Sequence, residues 1–202
     1  MTEARAAPQP NLKGLGVLVT RPAHQAAGLC RLIRDAGGRA LEFPALEIAP
    51  GGDPERLQRV FAELGRYRLA IFVSANAVEH AEPWIRRAGG LPPSLRLAAV
   101  GQATARVLGQ RLRAPEIVPA TGFDSETLLA CPELLRLAGQ AVLILRGAGG
   151  RPLLGDELRR RGAEVDYAEV YRRLCPKRDP GPLLAHWDQV QLVIATSREL
   201  LD

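Results

Sequence analysis

Short apolar runs alternate along the chain with longer segments of helical period. Residues 17–20 form an apolar run as long as a buried strand, and Pro22 favours the start of a helix. One face of that helix repeats at the i, i+3, i+4, i+7 spacing and is predicted to be buried: Leu29, Leu32, Ile33 and Ala36. Gly37-Gly38 ends the helix, and an extended run over 39–43 follows. This order predicts a parallel βαβ unit.

The same alternation continues along the rest of the chain. Asp53 is predicted to cap a helix with a buried stripe of Leu57, Val60, Phe61 and Leu64. The further predicted strands are 69–73, 96–100, 117–118, 141–145, 164–171 and 192–195. The further predicted helices are 74–87, a segment after Gly101, 128–137 with an interruption near Pro132, 152–161 and 183–187. The pattern predicts an α/β fold with parallel sheets.

Two extended segments do not fit the alternation. The first, 45–50, is framed by Pro44 and Pro50. The second, 171–176, continues from a predicted strand without a turn signal. We expect these segments to be linkers that run antiparallel to each other between two α/β units.

An internal repeat supports two related units. The strand that begins at Val17 resembles the one that begins at Val142, 125 residues later, and Ser74 and Ser197 stand 123 residues apart in similar settings. The alternative, that buried strands followed by turns look alike in any α/β protein, stays open. Between Ser74 and Val142 the first copy has 68 residues, but only 5 follow Ser197. The repeat therefore predicts a fragment that lacks on the order of 50 to 65 residues.

Composition excludes several classes of protein. The chain has 202 residues, 47% of them hydrophobic and 24% charged, which argues against disorder except in a polar Ala/Pro stretch within 1–13. No apolar run approaches the roughly 18 residues of a spanning helix, and no signal core is present. The three cysteines form no CxxC pair, which argues against a disulfide framework or a thiolate site. A cytoplasmic protein without a membrane partner is expected.

Charge favours anionic ligands without selecting one. The formal net charge is +5 and the pI about 9.6, and nearly all the cations are arginines. The alternative is that arginine simply occupies solvated helix faces. Aromatic residues make up only 4%, few for single-strand nucleic-acid binding, so no nucleic-acid partner is expected. His24, His80 and His186 stand alone, so no metal site is predicted.

Hydroxyl residues follow several predicted strands and mark a candidate site. They are Thr20, Ser74, Thr104, Thr196 and Ser197. In an open parallel sheet, ligands bind in the crevice at the carboxyl ends of the strands. Hydroxyls there could bind carboxylates, with Arg21, Arg146 and Arg151 adding charge. The alternative is that the hydroxyls are only helix caps.

Two further features could contribute chemistry. The segment from Arg146 through Gly147 to Arg151 follows a strand and opens a helix, which suits an anion, but it lacks the third glycine of a dinucleotide fingerprint. A glycine-permitted tight turn is the alternative. Tyr171 begins the second linker, where its phenol could donate a proton to a leaving hydroxyl. It could equally be an amphipathic packing residue.

The order and spacing of several short motifs resemble the uroporphyrinogen-III synthase family. The resemblance covers nearly all of residues 14–202. The matching segments are Val-Leu-Val-Thr-Arg-Pro from 17, Phe-Pro-Ala-Leu-Glu-Ile from 43, Phe-Val-Ser-Ala-Asn-Ala-Val from 72, Ala-Val-Gly-Gln-Ala-Thr-Ala from 99, Ser-Glu-Thr-Leu-Leu from 125, Arg-Gly from 146, Val-Tyr-Arg from 170 and Thr-Ser from 196.

The resemblance implies an architecture: two flavodoxin-like, doubly wound parallel-sheet domains joined by a two-stranded linker. Domain 1 would be discontinuous, formed by 14–44 plus 177–202, and incomplete at its C-terminal end. Domain 2 would comprise 51–170. The linkers would be 45–50 and 171–176.

The resemblance also implies an activity. A lyase of this family cyclises hydroxymethylbilane, a linear tetrapyrrole with eight carboxylates, inverts ring D and releases water, on the way to haem, sirohaem and cobalamin. It uses no metal or organic cofactor. A monomer that takes its substrate from hydroxymethylbilane synthase is expected.

On this resemblance, Tyr171 assists the departure of the hydroxyl without being essential. The implied substrate-binding residues are Thr20, Arg21, Ser74, Asn76, Thr104, Ser125, Arg146, Gly147, Thr196 and Ser197. Three alternatives remain: a non-catalytic two-lobed tetrapyrrole or anion sensor, a regulatory module fused to a DNA-binding domain, and a nucleotide enzyme that uses the 146–151 loop.

Overall fold

The computed structural model describes residues 11–195, which fold into two compact units. Unit 1 comprises the chain up to Ile48 and the chain from Leu174 onward, and unit 2 comprises Ala49–Arg173. Each unit is an α/β structure in its own right. Within residues 11–195, no helix has both the length and the hydropathy needed to cross a membrane.

Unit 1 contains a three-stranded parallel sheet. Its elements in chain order are β1 (Gly16–Val19), α1 (Ala23–Asp35), β2 (Arg39–Glu42), α7 (Gly181–Leu184) and β8 (Leu192–Ile194). The strand order is β2-β1-β8, and both pairs are parallel. The sheet packs against α1 through a small core of Val17, Val19, Ala26, Cys30 and Ile33.

Unit 2 contains the larger sheet. Its elements are α2 (Pro54–Ala62), β4 (Leu69–Phe72), α3 (Ala75–Arg87), β5 (Arg96–Ala99), α4 (Gln102–Arg111), α5 (Ser125–Leu129), β6 (Ala141–Gly147) and α6 (Leu153–Arg160). The strands β3 (Glu47–Pro50) and β7 (Glu164–Leu174) contain the residues at which the chain passes from one unit to the other. The sheet order is β3-β7-β6-β4-β5, and the β7-β6, β6-β4 and β4-β5 pairs are parallel.

The strand orders follow one rule in both units. In unit 1 the first strand, β1, lies between the second and the third. In unit 2, β4 likewise lies between β5 and β6, and β7 follows β6, which is the 2-1-3-4 order of flavodoxin-like folds. The expected parallel α/β architecture is therefore confirmed, and each sheet has a switch point where the strand order reverses.

The predicted elements differ from the structure in several places. Leu32 was expected on the buried face of α1 but is 66% exposed, because the buried residues Ala26, Cys30 and Ile33 define a face that points away from it. The helix expected over 128–137 is interrupted near Pro132 as predicted, but its α-helical part, α5, already ends at Leu129. Pro132 begins a separate 3₁₀ turn, since its ring excludes a continued helix and forces the preceding residue to be extended.

Three smaller predictions also need correction. The strand expected over 117–118 is only a single bridge between Ile117 and Ala98. The short helix expected over 183–187 begins earlier, at Gly181, and Trp187–Gln189 forms a 3₁₀ turn. Arg146 and Gly147, which were assigned to a loop, are the last residues of β6.

Candidate functional site

The switch point of unit 2 brings together the ends of β4, β6 and β7. Ser74 follows β4 as the N-cap of α3, Gly147 ends β6, and Tyr171 lies in β7. All three strands are parallel, so these residues share the carboxyl edge of the sheet. This is the place where ligands bind in open α/β sheets. Three of the residues singled out in the sequence therefore meet in one site.

Ser74 and Tyr171 form the central contact of this edge. The Ser74 Oγ and the Tyr171 phenol oxygen are 3.2 Å apart. The Ala77 N–H donates to the same Oγ at 3.1 Å, so Ser74 caps α3 as well as contacting the phenol. Tyr171 is only 1% exposed, whereas Ser74 is half-buried. Ser74 is therefore the more exposed residue of the pair.

A β-bulge sets the position of Tyr171. The β6–β7 register pairs Arg146 with Glu169 but Gly147 with Tyr171, so β7 contains one extra residue at this point. The Tyr171 ring then lies on the Gly147 backbone, where a Cβ atom would be 2.6 Å from ring atoms Cε2 and Cζ. The Tyr171 ring can lie here because Gly147 has no side chain.

Two side chains that the sequence did not single out for this site contact Tyr171. The His80 ring lies 5.7 Å from the Tyr171 ring, and its Nδ1 is 3.0 Å from the Asn76 carbonyl, which fixes Nδ1 as the donor. The Arg173 Nη2 donates to the Tyr171 phenol oxygen at 3.4 Å. A strand places residues i and i+2 on one face, and this could have indicated Arg173 from the sequence.

Two of the three arginines expected to bind anions, Arg146 and Arg151, are engaged within unit 2. Arg146 is paired with Glu169 at 2.9 Å, donates to the Gly150 carbonyl at 3.1 Å and stacks on the Tyr167 ring at 4.0 Å. Arg151 forms a two-pronged contact with Glu126, at 2.9 and 3.2 Å. This pairing lowers the Glu126 pKa. Arg146 therefore holds the loop after β6 in place and is not part of the Tyr171 contact network.

The remaining candidates of unit 2 lie farther along the same edge. Thr104 is buried in the first turn of α4, which follows β5. Ser125 is the first residue of α5, and the cap of that helix is Asp124, whose carboxylate accepts from the Thr127 N–H at 2.8 Å. The same bond lowers the Asp124 pKa. Asp124, and not Ser125, therefore caps this helix.

In unit 1, Thr20 joins the two strands at the switch point. Its hydroxyl donates to the Ile194 carbonyl at 2.9 Å, which ties the end of β1 to the end of β8. Arg21 follows it and is half-buried. Thr196 and Ser197, the other candidates of this unit, lie outside the described residues.

At the edge of unit 2 the hydroxyls of Ser74 and Tyr171 lie next to the Arg173 guanidinium. Such a set can hydrogen-bond carboxylate or hydroxyl oxygens and pass on a proton. Among residues 11–195, no three His, Cys, Asp or Glu side chains are grouped closely enough to hold a metal ion.

Comparison with known proteins points to one family. Residues 28–202 match the family model described as Uroporphyrinogen-III synthase HemD. The chain is 36% identical to uroporphyrinogen-III synthase of Escherichia coli over 194 residues, which cover 93% of this chain and 77% of that protein. It is 37% identical to the Proteus mirabilis enzyme, over 79% of this chain and 81% of the relative.

Solved structures support the fold. A uroporphyrinogen III synthase mutant from Thermus thermophilus superposes with a TM-score of 0.62 at 20% identity, covering 89% of this chain and 71% of the other. The Helicobacter pylori protein gives 0.53 at 15% identity, with coverages of 85% and 67%.

Proposed function

Because the chain belongs to the uroporphyrinogen-III synthase family, an enzyme family of tetrapyrrole biosynthesis, we propose that the edge formed by Ser74, Gly147 and Tyr171 is where it cyclises hydroxymethylbilane. The observation that carries this assignment is the contact between the Ser74 and Tyr171 hydroxyls at the switch point of the sheet. A proton donor at this edge supports the assignment, because ligands of open α/β sheets bind there.

The reaction takes one proton from the enzyme and gives one back. A proton from the hydroxyl pair goes to the leaving hydroxyl, the carbon–oxygen bond breaks, and water departs from the terminal methylene carbon. The substituted carbon of ring D attacks that methylene to give a spiro intermediate, and bond cleavage and reclosure invert the ring. Loss of the ring proton on closure then restores the proton to the enzyme. The net change is the loss of one water molecule.

Most of the work is positioning. The azafulvene cation left by water loss is reactive and closes unaided to the uninverted isomer, so the enzyme must hold the folded conformer that leads to inversion. Neutral donors at strand ends suit the carboxylates of this substrate, as does a net charge of +5. In this role we include Thr20, Arg21, Asn76, Thr104 and Ser125. Thr196 and Ser197 complete the proposed set. Arg146 contributes indirectly, because it holds the loop after β6 through the Gly150 carbonyl.

The finer organisation is part of the same proposal. We assign one flavodoxin-like domain to 14–44 plus 177–202, the other to 51–170, and linkers to 45–50 and 171–176. The strand orders β2-β1-β8 and β7-β6-β4-β5 support this assignment. A cytoplasmic monomer that needs no cofactor and takes its substrate from hydroxymethylbilane synthase completes it.

The isomer of the product tests the function. Freshly generated hydroxymethylbilane is added to the protein, and the uroporphyrinogen isomers are separated by chromatography against a reaction without protein. We expect isomer III with the protein and isomer I without it. Isomer I alone from a folded protein would contradict the proposed reaction and favour a non-catalytic tetrapyrrole-binding module.

A further inference from the structure

Arg173 lies beside Tyr171 on β7 and touches it in two ways. Its Nη2 donates to the phenol oxygen at 3.4 Å, and its guanidinium carbon is 5.6 Å from the ring centroid. Arginine carries donors and no acceptor, and it stays charged at any working pH. The phenol oxygen must therefore be the acceptor in this contact.

We propose that Arg173 is a positioning residue that directs the Tyr171 proton toward Ser74 and stabilises the phenol oxygen when that proton leaves. The proposal rests on the proposed function of this edge. It adds a member to the site that acts through Tyr171 and is not required to touch the substrate.

The available donors and acceptors favour Tyr171 as the donor and Ser74 as the acceptor in the contact between their hydroxyls. Tyr171 is 1% exposed, so its proton needs an acceptor inside the protein, and the Ser74 Oγ lies 3.2 Å from the phenol oxygen. The phenol oxygen in turn accepts from Arg173. With Tyr171 as donor, Ser74 accepts from the phenol and from the Ala77 N–H, and its own hydrogen points to a ligand. The reverse direction would leave the buried phenol proton without that acceptor.

The chain of donors then runs from Arg173 through Tyr171 to Ser74. As the carbon–oxygen bond of the substrate breaks, the Ser74 proton moves to the leaving oxygen and the Tyr171 proton moves to Ser74. The phenol oxygen becomes negative next to the guanidinium, and this charge pair stabilises the transition state. The proton lost from ring D on closure passes to Ser74 as Ser74 gives a proton back to the phenol oxygen, so the cycle balances.

A double-mutant cycle tests the proposal kinetically. Arg173→Gln should lower kcat about tenfold, in the range expected for the loss of one charged donor. Arg173→Lys should restore part of it. In the Tyr171→Phe background, which keeps the ring but lacks the phenol oxygen, Arg173→Gln should change kcat less than twofold. Arg172→Gln is the matched control, because it removes the same charge from the neighbouring position, which a strand directs to the opposite face.

A spectroscopic readout separates this inference from the proposed function. The Raman tyrosine doublet reports whether a phenol donates or accepts, and subtracting the Tyr171→Phe spectrum isolates Tyr171 from Tyr67 and Tyr167. Arg173→Gln should shift the Tyr171 signal and Arg172→Gln should not. A shift in a protein that forms only isomer I would support the contact and refute the reaction.

Three results would overturn the proposal: an unchanged Tyr171 signal in Arg173→Gln, additive effects on kcat in the cycle, or an effect on KM alone that salt abolishes. Additive effects would show that Arg173 does not act through Tyr171. A salt-sensitive effect on KM alone would show that Arg173 acts only as a surface charge that attracts the anionic substrate.

Discussion

The Tyr171 ring lies directly on the backbone of Gly147, so closely that a methyl group on Gly147 would be 2.6 Å from two ring carbons. The two residues are register partners across β6 and β7, next to the bulge that places Tyr171 beside Ser74. Aromatic rings are rigid and this one is buried, so neither residue can shift without disturbing the other. Because Gly147 has no side chain, the Tyr171 ring can pack on its backbone, and this packing fixes the position of the phenol.

Gly147→Ala is therefore expected to destabilise unit 2 and to displace Tyr171. Overpacking of this kind costs about 1–3 kcal/mol of unfolding free energy, and activity should fall together with stability. Urea unfolding and the isomer assay measure the two effects. Gly150→Ala is the matched control, because a Cβ there meets nothing nearer than 3.5 Å. Equal losses in both variants would contradict the packing argument.

The two hydroxyls of the site should respond differently to removal. Tyr171→Phe keeps the ring and should lower kcat about tenfold or more with a small change in stability, consistent with a residue that assists but is not essential. Ser74→Ala also removes the cap of α3, so it should lower kcat and cost about 1 kcal/mol of unfolding free energy.

Ser74→Thr restores a capping hydroxyl and should recover the stability lost in Ser74→Ala. Thermal unfolding and initial rates on hydroxymethylbilane distinguish the two contributions. If Ser74→Ala leaves kcat unchanged while it lowers stability, Ser74 is a cap and not a donor to the substrate.

Local patterns predicted the architecture well because each depends on a few neighbouring residues. Apart from 117–118, the short apolar runs are strands. Asp53 caps α2 through the Glu55 N–H at 2.9 Å, and Ser74 caps α3. Hydroxyls at strand ends also indicated Ser74 correctly as part of the switch-point edge, since all carboxyl ends of a parallel sheet meet there.

The side-chain contacts within the site could not be predicted from such local patterns. Arg146 looked like an anion-binding residue, but its guanidinium is occupied by Glu169 and Tyr167, residues more than twenty positions away. The i, i+2 spacing indicates Arg173 as a neighbour of Tyr171, but it does not indicate that a bulge brings Tyr171 beside Ser74 at the edge of the sheet. Such contacts depend on sheet register, which a one-dimensional pattern does not contain.

Two adjacent residues of α1 test which face of this helix is buried. Ile33→Ala should cost about 2–4 kcal/mol of unfolding free energy, because Ile33 is 4% exposed in the core of unit 1. Leu32→Ala should change stability by about 0.5 kcal/mol or less, since Leu32 is 66% exposed. The two variants remove aliphatic side chains of the same size from adjacent positions. Equal losses of unfolding free energy in the two variants would contradict the observed burial of Ile33 and exposure of Leu32.

The stability of unit 2 should fall in alkali because of one phenol. Tyr67 is buried and donates to the Asp166 carboxylate at 2.9 Å. Burial first, and then this hydrogen bond to a negative charge, raise the Tyr67 pKa well above its ordinary value of 10.0. The folded state therefore keeps the proton at pH values where the unfolded chain has lost it.

The sign of the effect follows from linkage. Below pH 10 both states hold the proton and the stabilisation is fully present, and as the pH rises above 10 the unfolded state ionises first. The unfolding free energy should then fall by at most about 1.4 kcal/mol per pH unit from this group.

Tyr67→Phe should cost about 1–2 kcal/mol at neutral pH but lose stability less steeply between about pH 10 and 12. Asp166→Asn should keep part of the slope, because burial remains. Urea unfolding at a series of alkaline pH values measures all three slopes, and identical slopes for Tyr67→Phe and the unmodified protein would show that Tyr67 does not control the alkaline transition.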